Sequence, residues 1–324
     1  MINSVPSPEG KLAYIGKIIK IEPIQEADLI ESATVVCGQG GKWIGVVGKC
    51  QFTVGDECVA YLQDAVLPED CGLDFMAKSD WRVKMRRFKG VPSECLIDVK
   101  KIDGDIGTDV THLLNVRKFF KPIPENMQGQ TLGDFPSFIP KTDEQNFQSV
   151  PHLVEYMKGK QFVATVKYDG TSCTAYKYQG HFGVCSRTLE LKDGNNVYWN
   201  TCRNIGIPEG YALQIEIHGE KINKNPAGIK GTEPRAFSLY DIEKHEYLSA
   251  VHLSAMCEKL GITQVDLVMT GDYFEFTEDE LRKLAEGTYP NGKQREGIVV
   301  RPLEEARVNG DRVSFKVINL NYER

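Results

Sequence analysis

The sequence predicts an α+β protein of two domains. A small antiparallel β-barrel comes first, and a larger domain of antiparallel sheets with flanking helices follows. Three observations predict this. The 324 residues suit two domains of ordinary size. Short β-rich runs ended by glycine turns dominate both halves. A connector over residues 117–150, punctuated by Pro122, Pro124, Pro136 and Pro140, separates them. The boundary is placed near residue 125, giving domains 1–125 and 126–324.

The strands of the first domain follow in order. Residues 11–22 form an isoleucine-rich run that Pro23 ends. Ser32–Cys37 and Trp43–Val47 are joined by Gly38-Gln39-Gly40-Gly41, a hairpin turn. Glu57–Leu62 is a fourth strand, and Arg82–Phe88 with Glu94–Val99 make a further pair around Gly90-Val91-Pro92-Ser93. About five short strands with little helix suggest an oligonucleotide-binding (OB) type of barrel. In the second domain, residues 149–158 read as a short helix with Pro151 in its first turn. Strands follow at 162–168, 174–177, 182–186, 211–218, 236–243, 297–301 and 312–318, with a short helix over 196–204. His252–Leu260 is an amphipathic helix stopped by Gly261. Thr277–Glu286 is another, opened by a capping box of Thr277 and Glu280.

Composition excludes several classes. At 41% hydrophobic and 26% charged residues, the chain is globular and not disordered. No apolar run reaches the ~18 residues of a membrane span, and Met1-Ile2-Asn3-Ser4-Val5-Pro6 is no signal peptide. No membrane partner and an intracellular, cytoplasmic location are therefore expected, with the chain a monomer. Nine cysteines stand singly without a CxxC pair, which favours reduced thiols over disulfides or zinc. The net charge of −6 does not by itself indicate nucleic acid, so local clusters matter more. The clearest is Arg82-Val83-Lys84-Met85-Arg86-Arg87-Phe88-Lys89. It is either a solvated strand or a basic face presenting Arg82, Lys84, Arg86, Arg87 and Lys89.

Chemistry centres on Val166-Lys167-Tyr168-Asp169-Gly170. On a strand, Lys167 and Asp169 share a face. Gly170 allows close approach of the backbone to a ligand. A pocketed lysine kept neutral is a nucleophile. Further strings follow at strand ends: Ser186-Arg187, Glu216 within Gln214-Ile215-Glu216-Ile217-His218-Gly219, and Phe237-Ser238-Leu239-Tyr240-Asp241. Last are Glu296-Gly297-Ile298-Val299-Val300-Arg301 and Ser314-Phe315-Lys316-Val317.

In this order, over residues 135–324, these strings resemble motifs I, Ia, III, IIIa, IV and V of the covalent nucleotidyltransferases. That superfamily contains ATP-dependent DNA ligases, RNA ligases and messenger-RNA capping enzymes. Thr171-Ser172 after motif I, where DNA ligases and capping enzymes usually have an arginine, is similar to RNA ligases. So is the stretch Phe135–Glu144. A barrel ahead of the catalytic domain, with eight residues after Lys316, resembles the fifth family of RNA ligases, the Naegleria type.

The resemblance implies a fold and a set of roles. The second domain would be an ATP-grasp-like nucleotidyltransferase domain. Lys167 would attack the α-phosphate of ATP, giving lysyl-AMP. Asp169, Glu216 and Glu296 would hold Mg²⁺ or Mn²⁺ or its waters, with Glu216 alternatively accepting a ribose hydroxyl. Val166, Gly170 and Ser186 would line the nucleotide, Arg187 would contact ribose or phosphate, and Phe237 would stack on adenine. Lys316 would bind phosphate and assist pyrophosphate departure. The partner would be RNA or an RNA/DNA duplex with a nick, and Arg301 would contact phosphate or nucleic acid. Blander readings stand beside these: Phe237 as core, Arg187 paired with Glu190, Asp241 as a structural carboxylate. His218 is a weaker catalytic candidate. Motif V often carries two lysines; here Ser314 precedes Lys316 and Ile318 follows it, with Arg312 a possible substitute.

Overall fold

A computed structural model describes residues 11–119 and 129–323. The boundary expected near residue 125 lies outside the described residues, as does the N-terminal stretch read for a signal peptide. The chain divides into two compact units. The first holds residues up to 122 together with 148–152, and the second holds 123–147 and 153–324.

The first unit is built on β1 (Ala13–Pro23), β2 (Ile30–Cys37), β3 (Gly41–Gly48), β4 (Glu57–Tyr61) and β8 (Leu96–Asp98). They form an antiparallel sheet in the order β3-β2-β1-β4-β8. Short ladders join β5 (Ala65–Val66) to β9 (Arg117–Lys118) and β6 (Arg86–Phe88) to β7 (Val91–Ser93). The glycine-rich turn between β2 and β3 uses φ of +59° at Gly38 and +91° at Gly40, the left-handed region where glycine carries no Cβ penalty. β4 is buried on both faces. Cys58 and Ala60 pack with Val35, Trp43 and Val47, while Val59 and Tyr61 pack with Ile15 and Val110.

The basic stretch differs from expectation. Instead of a seven-residue strand paired with Glu94–Val99, it makes a three-residue strand, Arg86–Phe88, that turns at Lys89-Gly90 onto Val91–Ser93. The segment Leu96–Asp98 pairs with β4 instead. Gln148, expected at the edge of the second domain, belongs to the first unit. Its Nδ-equivalent amide, Nε2, donates to the Lys42 carbonyl at 2.6 Å. A Cβ on Gly41 would sit 1.8 Å from the Gln148 carbonyl oxygen, so only glycine fits there.

The second unit has two antiparallel-rich sheets. One joins β10 (Thr131–Asp134), β13 (Thr171–Tyr178), β14 (His181–Cys185), β15 (Leu189–Leu191), β16 (Tyr211–Gly219), β17 (Thr232–Asp241) and β18 (Glu246–Tyr247). Their order is β10-β15-β14-β13-β16-β17-β18. The other has the order β11-β23-β20-β12-β19, from β11 (Gln145–Asn146), β12 (Phe162–Lys167), β19 (Leu267–Gly271), β20 (Gly297–Pro302) and β23 (Phe315–Ile318). A short β21 (Arg307–Val308) and β22 (Asp311–Arg312) form a hairpin. The helices are α1 (Pro151–Met157), α2 (Val197–Cys202), α3 (Ala250–Leu260) and α4 (Glu278–Ala285).

Trp199 and Cys202 of α2 and Leu253 and Cys257 of α3 cover one face of the seven-stranded sheet, against Cys173, Ala175, Leu213, Ile215 and Ile217. Gly261 ends α3 at φ +65°, and Thr277 and Glu280 close both bonds of the capping box on α4. β10 and β11 fall inside the expected connector, and β15 and β19 also lie outside the expected strands. Among the described residues, no helix is long and apolar enough to cross a membrane.

Candidate functional site

Strand alternation places the candidate residues. Along β12, Phe162, Ala164 and Val166 are buried while Val163, Thr165 and Lys167 are half-buried. Lys167 pairs with Gly297 on β20, and Val299, two residues on, pairs with Lys316 of β23. Lys167 and Lys316 thus share one face of the five-stranded sheet. On β16, Leu213, Ile215 and Ile217 enter the helix-covered core, so Gln214 and Glu216 face the other way. Ser172 of β13 lies directly opposite Glu216.

These faces bring an amine and three carboxylates together. Lys167 Nζ donates to Glu296 Oε2 at 2.7 Å. Glu216 Oε1 accepts the Gly170 N–H at 2.9 Å. Asp169 is buried; its Oδ1 accepts from Asn223 Nδ2 at 2.8 Å and its Oδ2 from the Tyr322 hydroxyl at 2.5 Å. Burial alone would lower the Lys167 pKa, but the charges of Glu296, then Glu216 and Asp169, outweigh it and hold the amine above its ordinary value. Burial, and next among the raising influences the Glu296 charge, pushes Glu216 up to about 8 despite the opposing pull of Lys167. Burial and the neighbouring Lys167 cation push the Lys316 amine down. Lys167 is therefore a protonated lysine among carboxylates.

Phe237 is the extra residue of a β-bulge. Gln214 pairs with Ser238 and Ile215 with Ala236, which leaves Phe237 unpaired between them and half-buried rather than in the core. Bulges re-aim side chains beside functional sites. Arg187 is exposed and pairs with Asp143, not with Glu190, which instead takes the Tyr176 hydroxyl and His181. Ser186 is tied to Leu189 through its N–H at 2.8 Å, closing the turn that carries Arg187.

The remaining candidates have other partners. The Val166 side chain packs with Tyr168, Ala227 and Tyr289, and its N–H donates to the Asp266 carbonyl, so it supports the strand from the core. Gly170 is required by the chain itself: a Cβ there would meet the Ile217 carbonyl oxygen at 2.4 Å and Glu216 Cγ at 2.9 Å. Arg301, expected to reach phosphate or nucleic acid, is buried and donates to Glu144 at 2.6 Å, the Phe237 carbonyl at 2.5 Å and Ser314 at 2.9 Å. Arg312 does not stand in for a second motif V lysine. It pairs with Glu305, donates to Ser238 at 3.1 Å and lies 3.5 Å over the Tyr247 ring. Asp241 is a buried structural carboxylate that accepts the Lys244 N–H at 3.0 Å. His218 is buried and stacks on Tyr168 at 4.4 Å, and burial keeps its imidazole below its ordinary pKa.

Within the first unit, Lys84, Arg86 and Lys89 are exposed, with Phe88 beside them. Arg87 donates to the Gly90 carbonyl at 2.7 Å within its own turn. Arg82 is committed elsewhere, to Asp64 at 2.5 Å and to the Phe119 ring at 3.6 Å.

Two residues of the site carry no sequence signal, and a third, Glu144, was marked only as the end of the Phe135–Glu144 stretch. Asn223 and Tyr322 bind Asp169 from 54 and 153 positions away. Glu144 lies 157 positions from Arg301; burial alone would raise its carboxyl, but Arg301 and then Arg312 overcome that and pull it down to about 2.

Among the described residues no three acidic, histidine or cysteine side chains form a metal cage. The donor set of Asp169, Glu216 and Glu296 fits a divalent cation that keeps most of its waters: hard oxygens, few direct ligands, and three carboxylates around the Lys167 amine.

A family model described as RNA ligase matches residues 160–318, and an OB-fold domain model matches residues 12–98. No curated protein matches the chain. Among solved structures, the chain is similar to a lysine-to-alanine variant of Naegleria gruberi RNA ligase with ATP and Mn. The TM-score is 0.80 at 30% identity over 95% of this chain and 97% of that one. It is also similar to a glutamate-to-alanine variant with AMP and Mn and to the enzyme with PPi, each at TM-score 0.79 and 30% identity over 95% of this chain and 96% of that one.

Proposed function

The chain belongs to the RNA ligase family, and from that premise we propose that it joins RNA ends through a lysyl-AMP intermediate on Lys167. The observation that carries the reading is the Lys167 amine, 2.7 Å from Glu296 and facing the strand of Glu216. The N. gruberi structures with ATP, AMP and PPi support ATP as the nucleotide and a divalent metal as its companion.

In the first step, Lys167 Nζ attacks the α-phosphorus of ATP. A P–N bond forms, the bond to the bridging oxygen breaks, and pyrophosphate leaves. Before attack the amine must lose its proton. Glu296 accepts its hydrogen bond and is the nearest group to receive that proton. A bound Mg²⁺ or Mn²⁺ supplies positive charge that offsets Asp169, Glu216 and Glu296 and the phosphate oxygens. Lys316, half-buried on the same face, binds the phosphates; burial first, and then the Lys167 cation beside it, hold its amine below the ordinary value. Phe237 offers its ring to adenine from the bulge. Arg187 reaches ribose or phosphate by leaving Asp143. In the second step an RNA 5′-phosphate oxygen attacks the AMP phosphorus and the lysine leaves. In the third, a 3′-hydroxyl attacks the activated 5′-phosphate and AMP leaves, which seals a nick in RNA or an RNA-containing duplex. Residues 126–324 carry this chemistry, and the barrel of residues 1–125 grips the nucleic-acid backbone with Lys84, Arg86 and Lys89.

Incubation with α-labelled ATP and Mg²⁺ or Mn²⁺ tests the first step. Label is expected on the protein, and Lys167→Ala should remove it. Label that survives Lys167→Ala, or equal labelling from GTP, would overturn the assignment.

A further inference from the structure

The donors on Asp169 are more specific than a buried carboxylate needs. Tyr322 is buried, and its hydroxyl reaches Oδ2 at 2.5 Å. Asn223 spans Oδ1 at 2.8 Å and the Gly170 carbonyl at 2.5 Å with one amide nitrogen. The two oxygens thus have separate donors, which fixes the plane of the carboxylate.

Each donor is itself held firmly. Tyr322 follows Asn319, which is fully buried. Asn319 gives its N–H to the Glu296 carbonyl at 2.9 Å and its amide to Gln294 at 3.0 Å and the Arg295 carbonyl at 2.9 Å. Its Oδ1 takes the Asn321 N–H at 2.9 Å. One short segment is therefore pinned against the backbone of Glu296 and bonded to the side chain of Asp169. Asn223 sits in a loop where Lys221, Asn223, Lys224 and Asn225 all have left-handed φ, from +44° to +65°. Such backbone is strained for residues other than glycine, less so for asparagine, and persists where surrounding contacts over-determine it.

We infer that Tyr322 and Asn223 are positioning residues that aim the Asp169 carboxylate at a divalent cation on the ATP phosphates. The inference rests on the proposed lysyl-AMP chemistry for its setting. The same logic governs the partners of metal ligands generally, whose loss typically weakens metal binding by about 10–100-fold. A purely structural hydrogen bond would change stability without changing the metal requirement.

Two readouts test it in the full chain with Tyr322→Phe and, separately, Asn223→Ser. The first is the Mn²⁺ dependence of lysyl-AMP formation. The half-saturating Mn²⁺ concentration should rise about tenfold in either variant, while the rate at saturating metal stays within about twofold of wild type. The second needs no turnover: electron paramagnetic resonance titration of Mn²⁺ with ATP in the Lys167→Met background. Uptake should weaken by a similar factor when Tyr322→Phe is added. Unchanged metal curves would overturn the inference, as would a rate loss that excess metal does not restore. If wild type forms no adduct, the lysyl-AMP reading falls, and the resonance titration alone still decides whether these residues serve a cation.

Discussion

Glu216 and Lys167 carry the site's electrostatic conflict. Glu216 is held up to about 8, above the ~4.3 of an unfolded glutamate. For a carboxyl with a raised folded pKa, its contribution to stability is fully present below the unfolded value. It is lost as pH rises through the folded one. The ligand-free protein should therefore lose stability between about pH 4.5 and pH 8 on account of this residue. Glu216→Gln should flatten that fall, read as thermal midpoints at pH 5.5 and 8.5; parallel curves for variant and wild type would refute it. The gain in stability comes with loss of a carboxylate that the proposed chemistry uses. At this scale the sequence was most legible where chemistry dictates residue type: Lys167, Asp169, Glu216, Glu296 and Lys316 belong to four of the six ordered strings. It was least legible for Tyr322 and Asn223, because their hydrogen bonds join positions 153 and 54 residues apart with no local pattern to mark them.

At the scale of elements, the signals that worked are local. Gly261 and the Thr277–Glu280 box act within one helical turn, and strands such as β12 and β16 show alternation that needs no partner. What stayed hidden depends on pairing. β10 and β19 are edge strands; β10 has no apolar stripe to read, and the apolar run Leu267-Val268-Met269 of β19 is largely exposed and too short to tell a strand from other structure. The Phe237 bulge exists only relative to β16. Between the two sheets of the second unit, Arg301 ties β20 to the Phe237 carbonyl of β17 and to Glu144. Arg301→Ala would strand a buried carboxylate, and removing one partner of a buried pair costs about 3–5 kcal/mol. Chemical denaturation should show that loss, together with weakened ATP binding because the bulge carbonyl loses its donor. A change below ~1 kcal/mol would mean that Glu144 finds another cation, with Arg312 the nearest candidate.

For the whole molecule, length and short glycine-ended strands pointed to two β-rich units, which the division of the chain matches in number. Those signals could not show that residues 148–152 return to the first unit, since Gln148 is fixed by Lys42 and Gly41, over a hundred positions earlier. The division of labour proposed for the units makes a separable prediction. Lys84→Ala, Arg86→Ala and Lys89→Ala together should leave lysyl-AMP formation unchanged, because none belongs to the unit of Lys167. Sealing of a nicked duplex should weaken, and its dependence on the logarithm of salt should flatten by roughly one unit per lost phosphate contact. An unaltered salt slope would remove the hairpin from the substrate path. Running the same comparison with RNA or DNA on the 3′-hydroxyl side would show which strand the site prefers.

The Phe237 bulge also separates what the sheet requires from what the site uses. Ala236 and Ser238 already oppose Ile215 and Gln214, which are neighbours in sequence. Excising Phe237 as a codon would let the ladder close into unbroken register with every other pair as it stands. The ladder is complete without that residue, so Phe237 is one residue more than the pairing uses, and its ring is what the extra residue adds.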